Sequence, residues 1–331
     1  MLPSVSVIIP CLNEEKTLHF LLDALLHQTY PTGRLEVIIA DGLSTDGTRQ
    51  EIEKFQAAHP ELSVQIVDNP KRHIPSGLNI AIKASRGEYV VRLDAHAIPQ
   101  PDYITRCIQA HLGDLAENVG GVWDIQPQDN SLIARSIAAA ATHPLGVGDA
   151  KYRYTDKAEY VDTVPFGSFN KAYLEQIGGF DETLLTNEDY ELNTRIRQAG
   201  GRVWLDPQIR TVYFARRNLK DLTRQYWRYG FWKAEMIRRY PKTLRPRQAL
   251  PPLFVAGLAL LLIVGTFFKP ALWAALAVLG VYLLVLVMVG IQIALNKKDI
   301  LMMFGVPLAI AAMQLTWGAG FLTGLVTRPK I

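Results

Sequence analysis

Short apolar runs alternate with polar stretches of helical period over the first hundred residues. "SVSVIIP" (4–10), "LEVIIAD" (35–41), "SVQIVD" (63–68) and "EYVVRLD" (88–94) each have the length of a buried strand. Between the first two, Leu18, Leu21, Leu22, Leu25 and Leu26 form one apolar stripe, and Ile52 and Phe55 repeat it more weakly after the second. This alternation predicts an α/β domain built on a parallel sheet with helices on both faces. Ligands of such sheets sit beyond the carboxyl ends of the strands. The polar residues there are Asn13, Glu14 and Glu15 after the first run, Asp41 after the second, and Asp94 and His96 after the fourth. No G-x-G-x-x-G follows the first run and no G-x-x-x-x-G-K-[ST] occurs, which argues against a dinucleotide or P-loop site.

Beyond Arg247 the pattern changes. Residues 250–268, 271–295 and 300–327 carry no charge, and about 20 residues suffice for one crossing of a bilayer. In lipid such segments must be helices. The net charge of +4 hides a gradient: acids are frequent up to Asp206, and cations crowd between Arg210 and Arg247. Arg238, Arg239, Lys242, Arg245 and Arg247 precede the first span, and Lys297 and Lys298 follow the second. The positive-inside rule then predicts a multi-pass protein of the inner (plasma) membrane with a cytoplasmic N-terminal domain and an outer C-terminus. Arg328 and Lys330 pull the other way, and a re-entrant hairpin remains the alternative for the first two spans.

"RQYWRYGFWKAEMIRRY" (224–240) interleaves cations with Trp227, Tyr229, Phe231 and Trp232. That composition suits a helix in the membrane interface, with membrane lipids rather than nucleic acid as its partner. The chain thus divides into a domain of residues 1–215, interfacial helices over 216–247 and a membrane region over 248–331. Cys11 and Cys107 read as small core residues.

Five segments in order carry a resemblance: "SVIIPCLNEEKTL", "VIIADGLSTDGT", "VVRLDAHA", "GGFDETLLTNEDYELNTRIRQAGGRVW" and "QYWRY". Together they resemble a family 2 glycosyltransferase of GT-A fold, a Rossmann-like mixed sheet. With the apolar tail, the chain is similar to exopolysaccharide glucosyltransferases of the succinoglycan type. The resemblance implies transfer of a hexose, glucose by analogy, from a UDP-sugar donor with inversion at the anomeric carbon.

It also implies roles. Asp41 takes the place of the acid that meets the uracil ring, and Pro10, Asn13 and Glu14 the nucleoside-facing loop. Asn13 has a helix N-cap as its rival reading, Glu15 reads as a cap or a solvated acid, and Asp46 is balanced between ligand and cap. Arg72 either meets the diphosphate or sits in a solvated loop. Asp94 and His96 stand at the D-x-D position that holds a divalent ion. An imidazole ligand shifts preference from magnesium toward manganese. Gly167 and Ser168 are candidates for leaving room for the donor sugar, and Gly178 and Gly179 serve backbone geometry.

Asp189 is the expected base, with Glu188 assisting or touching the acceptor, although acids also favour the first turn of a helix. Gln225 and Arg228 of "QYWRY" correspond to diphosphate contacts, with Tyr229 where the family has Trp. Two acceptors stay open: a saccharide on a polyprenyl diphosphate, or polyprenyl phosphate itself, which needs no base. A non-catalytic nucleotide-sugar-binding scaffold is the third reading. Donor sugar, linkage and oligomeric state are not legible.

Overall fold

The four apolar runs fold as β1 (Val5–Cys11), β2 (Leu35–Asp41), β3 (Ser63–Asp68) and β4 (Tyr89–Arg92), in a computed structural model that describes residues 2–328. Lys330, one of the C-terminal charges weighed above, lies outside the described residues. The periodic stretches between them form α1 (Leu18–Leu26), α2 (Thr48–Ala58) and α3 (Ile74–Ala84). β3, β2, β1 and β4 lie side by side in that order, all parallel. Strand order therefore reverses between β1 and β4, the switch point where α/β sheets open a ligand crevice.

The sheet is mixed rather than wholly parallel. After β5 (Ile98–Pro99), α4 (Tyr103–Leu112), β6 (Asn118–Gln126), α5 (Leu132–Ala140), α6 (Pro144–Val147) and β7 (Glu159–Tyr160), the chain returns as β8 (Ser168–Asn170). β8 runs antiparallel to both β4 and β6. α7 (Lys171–Gln176) and α8 (Glu188–Gln198) lead to β9 (Val203–Phe214), which pairs antiparallel with β5 and β7. Helices cover both faces. Val7, Ile9, Val37 and Ile39 share one core with Leu22 of α1, Ile52 of α2 and Ile104 of α4. On the opposite face Gly77 of α3 sits against Pro10 and Ala40. Cys11 and Cys107 are free and buried, as read, and burial pushes the Cys107 thiol up to about 12.

The chain forms two units. One comprises residues up to Asp124 with Tyr154–Tyr213; the other comprises Ile125–Arg153 and everything from Phe214 on. A linear division at 215 cannot show that α5 and α6 join the C-terminal helices. The second unit continues with α9 (Leu219–Arg239), α10 (Pro246–Gly265), α11 (Lys269–Lys297) and α12 (Met302–Val326). The last three are long and apolar enough to cross a membrane, with mean hydropathies of 2.0, 2.8 and 1.4. α10 starts at Pro246, earlier than the uncharged run: proline suits the first helical position, and Gln248 Oε1 accepts from the Arg245 amide before it at 3.1 Å.

Candidate active site

The site is assembled by a charged residue at the end of an apolar strand. Arg92 closes β4, and its amide donates to the Gly167 carbonyl at 3.0 Å. Only 3% of its side chain is exposed. A buried guanidinium is tolerable only if its donors are met by acceptors. Here Nη2 reaches Asp94 Oδ1 at 3.1 Å and Glu188 Oε1 at 3.0 Å, while Nη1 donates to Asp189 Oδ1. The rings of Phe166 and Phe180 lie 6.0 and 5.7 Å from the guanidinium carbon.

Glu188 and Asp189 open α8, where the helix dipole favours negative charge. Their side chains turn to Arg92 rather than serving only as caps. About a quarter of the Asp189 side chain, 24%, remains exposed, so it is open to solvent. Burial raises its pKa first, and Glu188 and Asp94 add to this. Arg92 and the Phe166 amide oppose the rise, and the balance stands at about 8. Three carboxylates on one cation leave excess negative charge, and holding a proton relieves it.

Across the switch point, Glu14 follows β1. Burial raises its pKa, but hydrogen bonds with His96 and Thr17 outweigh that and leave it below the usual carboxylate range; Asp94 is near enough to push it up. The His96 Nδ1 lies 3.2 Å from Glu14 Oε1. Asn13 does not cap α1, whose N-cap is Thr17. With φ at 57°, its Oδ1 accepts from the Thr45 amide at 2.8 Å and its amide donates to Ser44 Oγ at 2.8 Å, which ties the β1 and β2 exits together. Asp46 stands one residue before Gly47, the N-cap of α2, and accepts from the Thr48 amide at 3.1 Å, and Glu15 accepts from the Gly47 amide at 3.2 Å.

Asp41 is fully buried. Its carboxylate accepts from Ser44 Oγ at 2.5 Å and from Arg49 Nε at 2.6 Å, and Arg49 also holds Asp68 at 2.5 Å. Arg72, at φ 57°, donates to the Leu43 carbonyl at 3.3 Å. Gly167 is fixed by its backbone: φ is +90°, and a Cβ there would meet Asn118 Oδ1. Ser168 is buried in β8, bonded to the Val119 carbonyl at 2.9 Å and 3.0 Å from His111 Nε2. It therefore faces the protein rather than leaving room for a sugar. Gly178 and Gly179 have positive φ, and Arg195 gathers the carbonyls of Ile177 and Gly179 at 2.5 and 2.6 Å, the backbone role read for them. Gln225 and Arg228 lie on α9 in the other unit, where Gln225 donates to the Tyr229 hydroxyl at 3.0 Å.

Among the described residues no three His, Cys, Asp or Glu side chains gather as a metal cage. Asp94 offers Oδ2, since Oδ1 is engaged by Arg92. One carboxylate with a neighbouring imidazole does not fit an ion bound by protein alone. It fits an ion bound chiefly through substrate phosphates, the usual mode for magnesium-like cations. Arg92 and Arg49 are the two site residues that strand-end reading passed over. An arginine within "YVVRLD" was the available signal, because a cation closing an apolar strand needs buried acids to meet it.

Residues 6–178 match the model of a family described as glycosyl transferase family 2. The chain is 31% identical to the succinoglycan biosynthesis protein ExoA of Rhizobium meliloti (strain 1021), over 95% of this chain and 93% of that one. It is 30% identical to a dolichyl N-acetyl-alpha-D-glucosaminyl phosphate 3-beta-D-2,3-diacetamido-2,3-dideoxy-beta-D-glucuronosyltransferase of Methanococcus voltae, over 71% and 74% of the two chains. Among solved structures, a mannosyltransferase from Pyrobaculum calidifontis in complex with GDP-Man and Mn2+ superposes with a TM-score of 0.60 at 22% identity. That likeness covers 95% of this chain and 88% of the other, and it is one of fold.

Proposed function

Because this chain belongs to glycosyl transferase family 2 and has the GT-A fold, we propose that it extends a lipid-borne glycan by one sugar. The donor is a UDP-hexose, taken as UDP-glucose. The acceptor is a saccharide on a polyprenyl diphosphate at the cytoplasmic face of the membrane, and the product feeds an exopolysaccharide or cell-envelope glycan. Two relatives support this reading by name: one belongs to succinoglycan biosynthesis, and the other acts on a dolichyl-linked sugar phosphate.

The observation that carries the proposal is the Arg92 clamp, which sets the donor-side acid Asp94 and the acids Glu188 and Asp189 on one guanidinium. The acceptor hydroxyl gives its proton to Asp189 as its oxygen bonds to the anomeric carbon. The bond from that carbon to the diphosphate breaks on the opposite face, its electron pair leaves with UDP, and configuration inverts. Arg92 orients the Asp189 carboxylate, and Glu188 meets the acceptor beside it. A divalent ion, manganese in preference to magnesium, would be held by Asp94 and His96 and would neutralise charge on the departing diphosphate.

Pro10, Asn13, Glu14 and Gly167 shape the donor side, and Asp41 reads the uracil once Arg49 or Ser44 releases one of its oxygens. Arg72 is assigned to the diphosphate, and for Gln225 and Arg228 the support for that role is the family resemblance of their segment alone. The test is UDP release by purified protein with a panel of UDP-sugars and lipid-linked saccharides. Asp189→Asn should bind donor and lose transfer. Sugar found joined directly to polyprenyl phosphate would replace this acceptor with the simpler one.

A further inference from the structure

α10, α11 and α12 have comparable composition and unlike surroundings. α12 meets both other helices, with Gly290 of α11 against Met303 and Pro307 and Gly318 against Pro251 of α10. Among the described residues, however, it alone of the three is also flanked along its length by helices that are not membrane spans. At its start Arg135 of α5 pairs with Asp299 at 2.8 Å, and Gly305 abuts Ser136. In its middle Gln314 donates to the Leu145 carbonyl of α6 at 2.7 Å. Its last three turns lie against α9: Gly230 meets the Trp317 carbonyl, Gly320 that of Trp227, and Gly324 that of Phe231. Side chains at these glycines would force the helices apart, so the backbones meet directly.

α9 rises in the same direction as α12, since Trp227 pairs with Gly320 and Phe231 with Gly324. It carries eight charged side chains over 21 residues. Each cation or Asp would cost about 2.5–3.5 kcal/mol at the centre of a bilayer, so α9 cannot accompany α12 through lipid. The ends make the same point. Arg238 belongs to the basic collar before α10, yet its guanidinium donates to the carbonyls of Gly324, Leu325 and Thr327 at 2.6, 3.0 and 3.4 Å. If α12 crossed from Lys298 outward, its end would lie about 30 Å of hydrocarbon away from that collar.

We propose that α10 and α11 alone cross the bilayer, as a hairpin whose tip at 266–268 reaches the far face, and that α12 lies in the plane of the near interface. α10 has 20 residues, close to the roughly 30 Å a crossing needs. Phe267 at the tip is 93% exposed. α12 turns its protein side to α5, α6 and α9 and presents Leu301, Phe304, Leu308 and Leu315, all exposed and spaced along one face, to lipid acyl chains. The partner is the bilayer itself, and residue 327 stands on the same side as the collar. This replaces the odd number of crossings expected from the sequence with an even one.

The arrangement rests on membrane residence and not on the transfer reaction. Cys11 and Cys107 are buried, so the unmodified chain is a silent background for a membrane-impermeant maleimide. Three exposed positions serve as reporters in the full chain: Lys242→Cys in the collar, Thr266→Cys at the tip and Thr327→Cys at the end of α12. In sealed vesicles of either orientation, Lys242→Cys and Thr327→Cys should react from one face and Thr266→Cys from the other. Thr327→Cys reacting together with Thr266→Cys, or a tip shielded at both faces, overturns the arrangement. Equal reaction of all three from both faces removes membrane residence itself.

Discussion

Two arginines gather carboxylates at the carboxyl end of the sheet, and each is the inverse of the other. Arg92 has 3% of its side chain exposed, while its partners Asp94 and Asp189 keep 23% and 24%. Arg49 is 36% exposed, and its partner Asp41 is wholly buried. In the first group the cation is interior and Glu188 is buried beside it. The other two of its three acids, Asp94 and Asp189, keep an open side, so this pair are the ends a substrate could reach. In the second the acid is interior and the cation covers it, so Asp41 can meet a ligand only when its cover moves.

The sharpest break of this contrast removes the interior cation. Arg92→Met leaves Asp94, Glu188 and Asp189 together with no counter-charge. Losing one partner of a buried ion pair typically costs about 3–5 kcal/mol. Urea unfolding should register a loss of that order, and transfer should vanish with it. Arg92→Lys should recover part of the stability and little of the turnover, because an ammonium cannot hold three carboxylates in a planar fork. Wild-type stability in Arg92→Met would mean that the three acids do not need the guanidinium.

Asp189→Asn tests the outward end of the same group. Loss of the base should slow transfer by about 10²–10⁴-fold while donor binding persists. Stability should not fall, since a neutral amide relieves the crowding. The sign of the pH effect follows from the raised pKa. The folded chain holds this proton up to about 8, whereas an unfolded Asp releases it near 3.9. The associated stability is complete below about 3.9 and is lost as pH rises toward 8. Transfer runs the opposite way, because the base works ionised, so kcat/KM should climb with pH up to about 8. A flat profile, or an unchanged stability slope in Asp189→Asn, would remove Asp189 from the role.

The contrast also marks how far the sequence could be read. β1 to β4 were legible because each is a run of apolar residues with polar residues at its exit. β5 and β7 have two residues and β8 three, too short for any period, so these three antiparallel strands were not. Asp94, Glu188 and Asp189 stood out as acids in recognisable segments, but nothing local joins residue 92 to residues 188 and 189. Their meeting is a product of β8 returning beside β4. Ser168 misled for a related reason: β8 directs it to His111 and the Val119 carbonyl. The apolar tail was plain from composition, whereas the glycine contacts between α9 and α12 exist only in three dimensions.

The covered acid gives a smaller effect. Asp41→Asn should raise the KM for a UDP-sugar about tenfold, the worth of a hydrogen bond to a charged group, and leave kcat nearly unchanged. Arg49→Gln uncovers Asp41 without removing it and should lower stability while leaving the preference for uracil over cytosine nucleotides intact. Loss of that preference in Arg49→Gln and not in Asp41→Asn would reverse the assignment of acid and cover.

The smallest effect is expected at His96, and it decides where the outward-facing group ends. Its side chain is 45% exposed and its Nδ1 meets Glu14, so its loss should barely alter stability. As a ligand beside Asp94, its imidazole would favour manganese over the harder magnesium. His96→Asp supplies an oxygen instead and should narrow the ratio of manganese- to magnesium-supported rates. It also sets a carboxylate against Glu14, whose pKa should then rise as a hydrogen-bond partner is lost and a like charge gained. If His96→Asp moves the pH profile and leaves the metal ratio untouched, His96 serves to hold Glu14. The working acids are then Asp94, Glu188 and Asp189, all on the guanidinium of Arg92.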